Sequence, residues 1–191
     1  KIAFLSKDGQ AVTALFDILS GKKQATEGGF KWGVTITNDY LPNDNSDYFS
    51  DSSMILVDWL RQYSAEKDES FIRGFLGRML FSGEEALKKS SVLSGGEKQR
   101  CMFSKMMLSN SNVLIFDEPT NHLDLESIQA LNKGMEDFDS NILFACHDHQ
   151  LTNSVANRII EIGPKGCLDK MMTFDEFLTD ERIKGQRKEI Y

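Results

Sequence analysis

The stretch VLIFDEP, residues 113 to 119, constrains the fold more than any other part of the chain. Val113, Leu114, Ile115 and Phe116 are consecutive apolar residues without polar alternation, so a strand built from them is covered on both faces. Strands of that kind lie inside parallel sheets, whose crossover connections put helices on both sides. Neighbouring segments carry the matching pattern. IAFL, residues 2 to 5, is a short apolar run followed by a polar loop and by AVTALFDIL, where Val12, Leu15, Phe16 and Leu19 recur at helical spacing, with Gly21 to close the helix. A helix through Met102, Phe103, Met106 and Met107 precedes VLIFDEP, another is expected from about Asp124 to Phe138, and NILFAC, residues 141 to 146, is a further strand. Alternating strands and helices predict an α/β fold with a parallel sheet.

Between the first helix and that core the pattern changes. FKWGVTITNDYL, residues 30 to 41, alternates as a strand does, and the polar stretch 43 to 53 is expected to be a loop. Amphipathic helices are expected over 53 to 64 and 69 to 80. Their apolar stripes, Ile55, Leu56, Trp59, Leu60 and Tyr63 on one and Phe71, Phe75, Leu76 and Met79 on the other, are expected to be core. The result is a small helical block inserted into the α/β unit.

A length of 191 residues, 40% of them hydrophobic and 27% charged, fits one globular domain without a membrane-spanning run. Three cysteines, Cys101, Cys146 and Cys167, lack paired spacing and favour a reducing cytoplasm over a disulfide framework or a zinc site. The formal net charge of −7 opposes nonspecific wrapping of nucleic acid, so any RNA contact must be local. A basic cluster, Arg182, Lys184, Arg187 and Lys188, suits a solvated helix end or a binding patch equally.

Three features fall where an open α/β sheet gathers its ligand, at strand ends and helix starts. VLIFDEP delivers Asp117 and Glu118 to the sheet edge, where in a phosphate-hydrolysing site the first would hold Mg²⁺ and the second would orient or deprotonate water. LSGGEKQR supplies Ser94 as an N-cap and Gly95 and Gly96 as amides at the positive end of a helix, a place that attracts phosphate. His147, just past NILFAC, is placed to touch a terminal phosphate or the water, although a histidine there also suits a purely structural role. The run His147-Asp148-His149 lacks further ligands at metal-binding spacing.

LSGGEKQR resembles the signature of ATP-binding cassette domains, VLIFDEPTNHLD their Walker B strand and D-loop, and CHD their switch histidine. NHLD and the LSGGEK wording resemble the ABC-F branch, soluble ATPases with two cassettes in one polypeptide, many of which act on the ribosome. The resemblance implies ATP and Mg²⁺ as cofactors, the other cassette of the same polypeptide and the ribosome as partners, and cytoplasmic residence without a membrane segment. It implies a nucleotide-binding domain over 1 to 180 that lacks its N-terminal strands, with the helical subdomain at about 50 to 90, and a basic tail over 181 to 191. The chain so placed is the tail portion of a longer protein.

The same resemblance puts residues 2 to 21 in the place of the Walker A strand, loop and helix. On the template G-x-x-x-x-G-K-S/T, Ser6 and Ala11 stand for the glycines and Val12 for the lysine, with Gly9 between them, while Thr13 keeps the Mg²⁺ hydroxyl. Asn38 is expected at or near the Q-loop glutamine and as an additional Mg²⁺ oxygen. Loss of the lysine and one glycine weakens nucleotide binding by about two to three and a half orders of magnitude. In the cassette family each ATP lies between Walker A and B of one domain and the signature of the other. The implied arrangement is therefore asymmetric. Ser94, Gly95, Gly96 and Glu97 serve the partner cassette's ATP, while Thr13, Asp117 (for Mg²⁺), Glu118 and His147 (for catalysis) belong to a degenerate site, and the isolated domain is expected to be nearly inactive. The competing expectations are the ATP-binding subunit of a membrane transporter and a non-catalytic interaction module.

Overall fold

The structure is a computed structural model that describes residues 1–50 and 53–191. Residues 51 and 52, within the loop expected over 43 to 53, lie outside the described residues. The chain opens with strand β1 (Ile2–Ser6) and helix α1 (Gly9–Leu19), then strand β2 (Asn38–Leu41). A 3₁₀ turn at Ser46–Phe49, helices α2 (Leu56–Arg61) and α3 (Glu69–Arg78), and further 3₁₀ turns at Gly83–Leu87 and Ser90–Val92 form the helical block. Helix α4 (Gly95–Leu108), strand β3 (Val113–Asp117), helix α5 (Leu125–Asp137), strand β4 (Asn141–Ala145) and helix α6 (His149–Val155) complete the central part. Strands β5 (Arg158–Gly163) and β6 (Gly166–Lys170) and helices α7 (Phe174–Thr179) and α8 (Glu181–Ile190) finish the chain.

Among the described residues the sheet order is β2-β3-β4-β1-β5-β6. All pairs are parallel except β5 with β6, so the sheet is mixed at that edge rather than wholly parallel. Every residue of β3 is buried, as its unbroken apolar run requires. The period-two pleat sorts them by face. Val113 and Ile115 join Phe4, Val12, Phe16, Tyr40 and Ala145 under α1, whereas Leu114 and Phe116 join Leu41, Trp59, Leu76, Met102 and Phe144 beneath the helical block and α4. The helical block thus shares its core with the sheet. The carboxyl ends of β1, β3 and β4 bring Ser6, Asp117 and Cys146 to one edge.

Several expectations change. The strand expected over 30 to 41 is confined to Asn38–Leu41. Residues before it turn at Gly33, whose carbonyl accepts from the Ile36 amide at 3.0 Å, and Trp32 donates its indole N–H to the Leu19 carbonyl at 3.0 Å, fastening the segment to the end of α1. The helix expected over 53 to 64 shortens to α2, with Trp59 buried and stacked on Phe49 at 4.7 Å. Helix α3 starts at the Asp68 cap, and its register buries Ile72 and Leu76 but leaves Phe71 exposed, so Phe71 is not core. The basic 181 to 191 segment is no free tail. Ile183 and Ile190 of α8 are buried, Arg187 forks onto the buried carboxylate of Glu161, and a Cβ at Gly163 would lie 2.4 Å from the Ile190 carbonyl oxygen. Packing that close admits only glycine at 163.

Candidate active site

The turn after β3 holds the carboxylates. Asp117 is 1% exposed and accepts a hydrogen bond from the Thr13 hydroxyl at 2.8 Å, which joins the second turn of α1 to the end of β3. Burial raises its pKa above the usual range, with the Thr13 bond opposing. Glu118 adopts φ +50 and His122 φ +65, left-handed values that L residues hold only where surrounding structure enforces them. The Glu118 amide donates to the Ala145 carbonyl at 2.9 Å, tying the turn to β4. One carboxylate oxygen of Glu118 lies 3.4 Å from the exposed imidazole of His147, and the other is buried without a hydrogen-bond partner. Burial raises the Glu118 pKa too, with His147 pulling it down and Asp117 pushing it up. Such a carboxylate is poised to take a proton. The adjacent residues diverge from His147: Asp148 caps α6 through the Leu151 amide at 2.8 Å, and His149 turns to Asp175 at 3.1 Å.

The LSGGEKQR segment is the start of α4. Ser94 and Glu97 form a reciprocal capping box, the Ser94 amide donating to Glu97 at 2.8 Å and the Glu97 amide donating to the Ser94 hydroxyl at 3.3 Å. Partial burial works against ionisation of Glu97, but hydrogen bonds from Lys88, at 2.7 Å, and Ser94 outweigh it and hold its pKa below the usual range. Ser94 and Gly95 are exposed at the surface. Gly96 has a different reason to be glycine: an added Cβ would lie 2.6 Å from the His122 carbonyl oxygen. The helix start and the turn after β3 are therefore in backbone contact.

Sequence reasoning missed the amides that join these parts. Gln99, 4% exposed, accepts from the Asn45 side chain at 2.7 Å and donates to the Pro119 carbonyl at 3.3 Å, and Asn121 donates to Asn43 at 3.1 Å. Asn38 does not belong here. It pairs with Val113 at the start of β2, so roughly 13 Å of strand separates its level in the sheet from Asp117. Asn43, two residues beyond the end of β2, is the side chain that reaches the turn, and Pro42 after the apolar Tyr40-Leu41 was the available signal.

The loop after β1 bonds partly to itself. Asp8 caps α1 by accepting from the Gln10 amide at 3.1 Å, Ser6 accepts from the Asp8 amide at 3.1 Å, and the Ala11 amide donates to the Asp8 carbonyl at 3.1 Å. Val12, 3% exposed, is packed in the cluster with Phe4, Phe16 and Tyr40, and Gly9 is already the first helical residue. Thr13 and Asp117 form an oxygen donor set suited to Mg²⁺. The Asp8, Gln10 and Ala11 amides of the loop are engaged by the loop itself, and the apolar Val12 is buried where the Walker A template carries its lysine. A cavity of about 480 Å³ lies elsewhere, between α4 and α5, and its lining of Met79, Phe103, Met106, Met107, Met135 and Phe138 includes neither carboxylate of the turn.

The sequence profile of the ABC transporter family matches residues 2–121. The chain is 59% identical over 192 residues to YkpA, an uncharacterized ABC transporter ATP-binding protein of Bacillus subtilis (strain 168), covering 100% of this chain and 36% of that protein. It is 28% identical over 193 residues to ABC transporter F family member 5 of Arabidopsis thaliana, covering 100% of this chain and 27% of that protein. Among solved structures, the archaeal ribosome recycling factor aABCE1 in complex with ribosomal stalk protein aP1 superposes with a TM-score of 0.77 at 20% identity, over 98% of this chain and 42% of that chain, a likeness of fold. The chain spans about a third of the length of these curated relatives.

Proposed function

The chain belongs to the ABC transporter family of ATP-binding domains, and from that premise we propose that it is the second cassette of an ABC-F ATPase acting on the ribosome in the cytoplasm. In this proposal its own nucleotide loop is degenerate and its signature helix completes the ATP site of the other cassette in the same polypeptide. The observation that carries the asymmetry is the contrast between two helix starts. That of α4 is capped, exposed and glycine-lined, with Ser94 and Gly95 open to a second surface. That of α1, exposed as well from Asp8 to Gln10, is capped by the carboxylate of Asp8 rather than by a hydroxyl, and it buries Val12 where a phosphate loop carries its lysine.

The chemistry divides accordingly. ATP with Mg²⁺, bound in the other cassette, supplies the phosphoryl group to be hydrolysed. The Ser94 hydroxyl and the amides at the start of α4 would stabilise negative charge there, while the capping box keeps that helix start rigid. Thr13, Asp117, Glu118 and His147 belong in this proposal to the degenerate site of this cassette, which would hold nucleotide weakly or statically, with Thr13 and Asp117 as the oxygens for Mg²⁺. The ABC-F name of one relative and the ribosomal context of the similar recycling factor support the ribosome as the target. No helix among the described residues is long and apolar enough to cross a membrane.

The test is Gly95→Asp in the intact protein. Its Cβ would lie 3.6 Å from the His122 side chain, an ordinary contact, and an acidic residue in the first turn suits the helix dipole, so folding is spared. Turnover should fall by about 10²-fold or more, which corresponds to ~3 kcal/mol. Normal turnover in a normally melting variant would reject a signature acting in trans. ATP-dependent co-sedimentation with ribosomes, measured with the hydrolysis-blocked other cassette, tests the target, and co-purification with a membrane complex would instead favour a transporter subunit.

A further inference from the structure

The mismatch between the loop after β1 and a triphosphate extends to an occupant from the far end of the chain. A phosphate-binding loop works through backbone amides and a cation. The Lys7 amide donates to the Tyr191 hydroxyl at 3.0 Å, and the Lys7 ammonium, the only cation between Ser6 and Thr13, sits 3.8 Å from the centre of the Tyr191 ring. The amides of Asp8, Gln10 and Ala11 are held by Ser6 and Asp8, so four loop amides are already bonded. The Asp8 carboxylate occupies the positive end of α1, where an incoming phosphate would meet like charge.

Tyr191 is itself fastened. Its hydroxyl donates to the Ile162 carbonyl at 3.2 Å, and Ile162 pairs with Ser6 in the β1–β5 register. One phenol therefore bridges the ends of both strands. Helix α8, which delivers it, is anchored by buried Ile183 and Ile190, by Arg187 on Glu161, and by the Lys165 amide donating to the Ile190 carbonyl at 3.0 Å. Residues 184 positions apart are thus joined by a hydroxyl, a ring and a cation.

We propose that Tyr191, at the end of α8, is the resident ligand of the Ser6–Ala11 loop in the place of a nucleotide, held by the Lys7 amide and ammonium. This deepens the asymmetric function proposed above and rests on it. The loop has been converted from a phosphate cradle into a clasp that holds the sheet edge and α8 together, which leaves the signature as this cassette's contribution to ATP chemistry.

The experiment is amide hydrogen exchange of the intact protein with and without MgATP, for the natural sequence, Tyr191→Phe and Tyr191→Ala. Protection of the other cassette's loop reports that nucleotide is bound. In the natural protein MgATP should leave exchange at residues 7 to 11 unchanged. Tyr191→Phe removes the acceptor and keeps the ring, so the Lys7 amide should exchange about fivefold faster or more, with α8 still protected. Tyr191→Ala should speed it at least as much. MgATP protection of residues 7 to 11 in the natural protein would overturn the proposal, as would unchanged Lys7 exchange in both variants. Failure of the trans signature would appear separately, in the turnover of Gly95→Asp.

Discussion

Replacing each signature glycine by alanine distinguishes a backbone contact from an open surface. Gly95 and Gly96 are equivalent in sequence, yet a Cβ at 95 would meet the His122 side chain at 3.6 Å, whereas a Cβ at 96 would meet the His122 carbonyl oxygen at 2.6 Å. The first is ordinary contact. The second lies about 0.8 Å inside it, against backbone that cannot rotate away. His122 is already left-handed at φ +65, and the Leu123 amide and the Asp124 cap of α5 hold the backbone on its C-terminal side. Relief must displace the turn or the helix start, at a cost of roughly 1–3 kcal/mol. Both alanines gain up to about 1 kcal/mol in helix propensity, which cancels from the comparison. Gly96→Ala should therefore melt below Gly95→Ala by roughly 2–12 °C for a unit of this size. Calorimetry of the intact protein reads the shift, and ATPase assays should show the larger loss in Gly96→Ala because the clash displaces the α4 start that serves the other cassette's ATP. Two alanine variants that melt within about 1 °C of each other would refute the contact.

Burial raises the native pKa values of Asp117 and Glu118 above their ordinary 3.8 and 4.5, so the folded state keeps these protons to higher pH than the unfolded state, and stability is lost as pH rises through that window. Asp117→Asn and Glu118→Gln should each raise stability at pH 7 by roughly 0.5–2 kcal/mol, with the advantage vanishing near pH 4, as read by melting curves across pH. An equal advantage at both pH values would exclude ionisation as the cause. Arg187→Met leaves the buried Glu161 carboxylate uncompensated and should cost about 3 kcal/mol, while the double change with Glu161→Gln should recover part of it in a melting assay. No recovery would mean that the arginine acts through packing alone.

The parallel core was legible because its signals are local and periodic. Val113 to Phe116 can only be an inner strand, and Ser94 with Glu97, like Asp124 before α5, announces a helix start within four residues. Boundaries were less legible where burial is partial. The alternation from Phe30 onward looks like a strand, but the chain turns at Gly33 and Trp32 bonds to the end of α1, and Asn38, placed at the Q-loop by resemblance, stands at the start of β2 while Asn43 reaches the turn. Phe71 and Ile72 are neighbours in α3, and the packing of α3 against α2 and α4, which the sequence does not record, puts Ile72 and Leu76 inside. At the site, the carboxylates and the glycines could be named from motif chemistry, but the groups that hold them could not. Gln99, Asn45 and His122 act through contacts 20 or more residues away. Tyr191 on Lys7 joins the two ends of the chain, and nothing periodic in the sequence records it.

The number of nucleotides bound per polypeptide tests the central asymmetry most directly. Equilibrium dialysis of the intact protein with ATP and Mg²⁺, with hydrolysis blocked in the other cassette, should show one tight site per polypeptide, any second site being weaker by about two to three orders of magnitude. Two sites of comparable affinity would contradict the account, because the loop from Ser6 to Ala11 would then have to release Tyr191 and its own amides to grip phosphate.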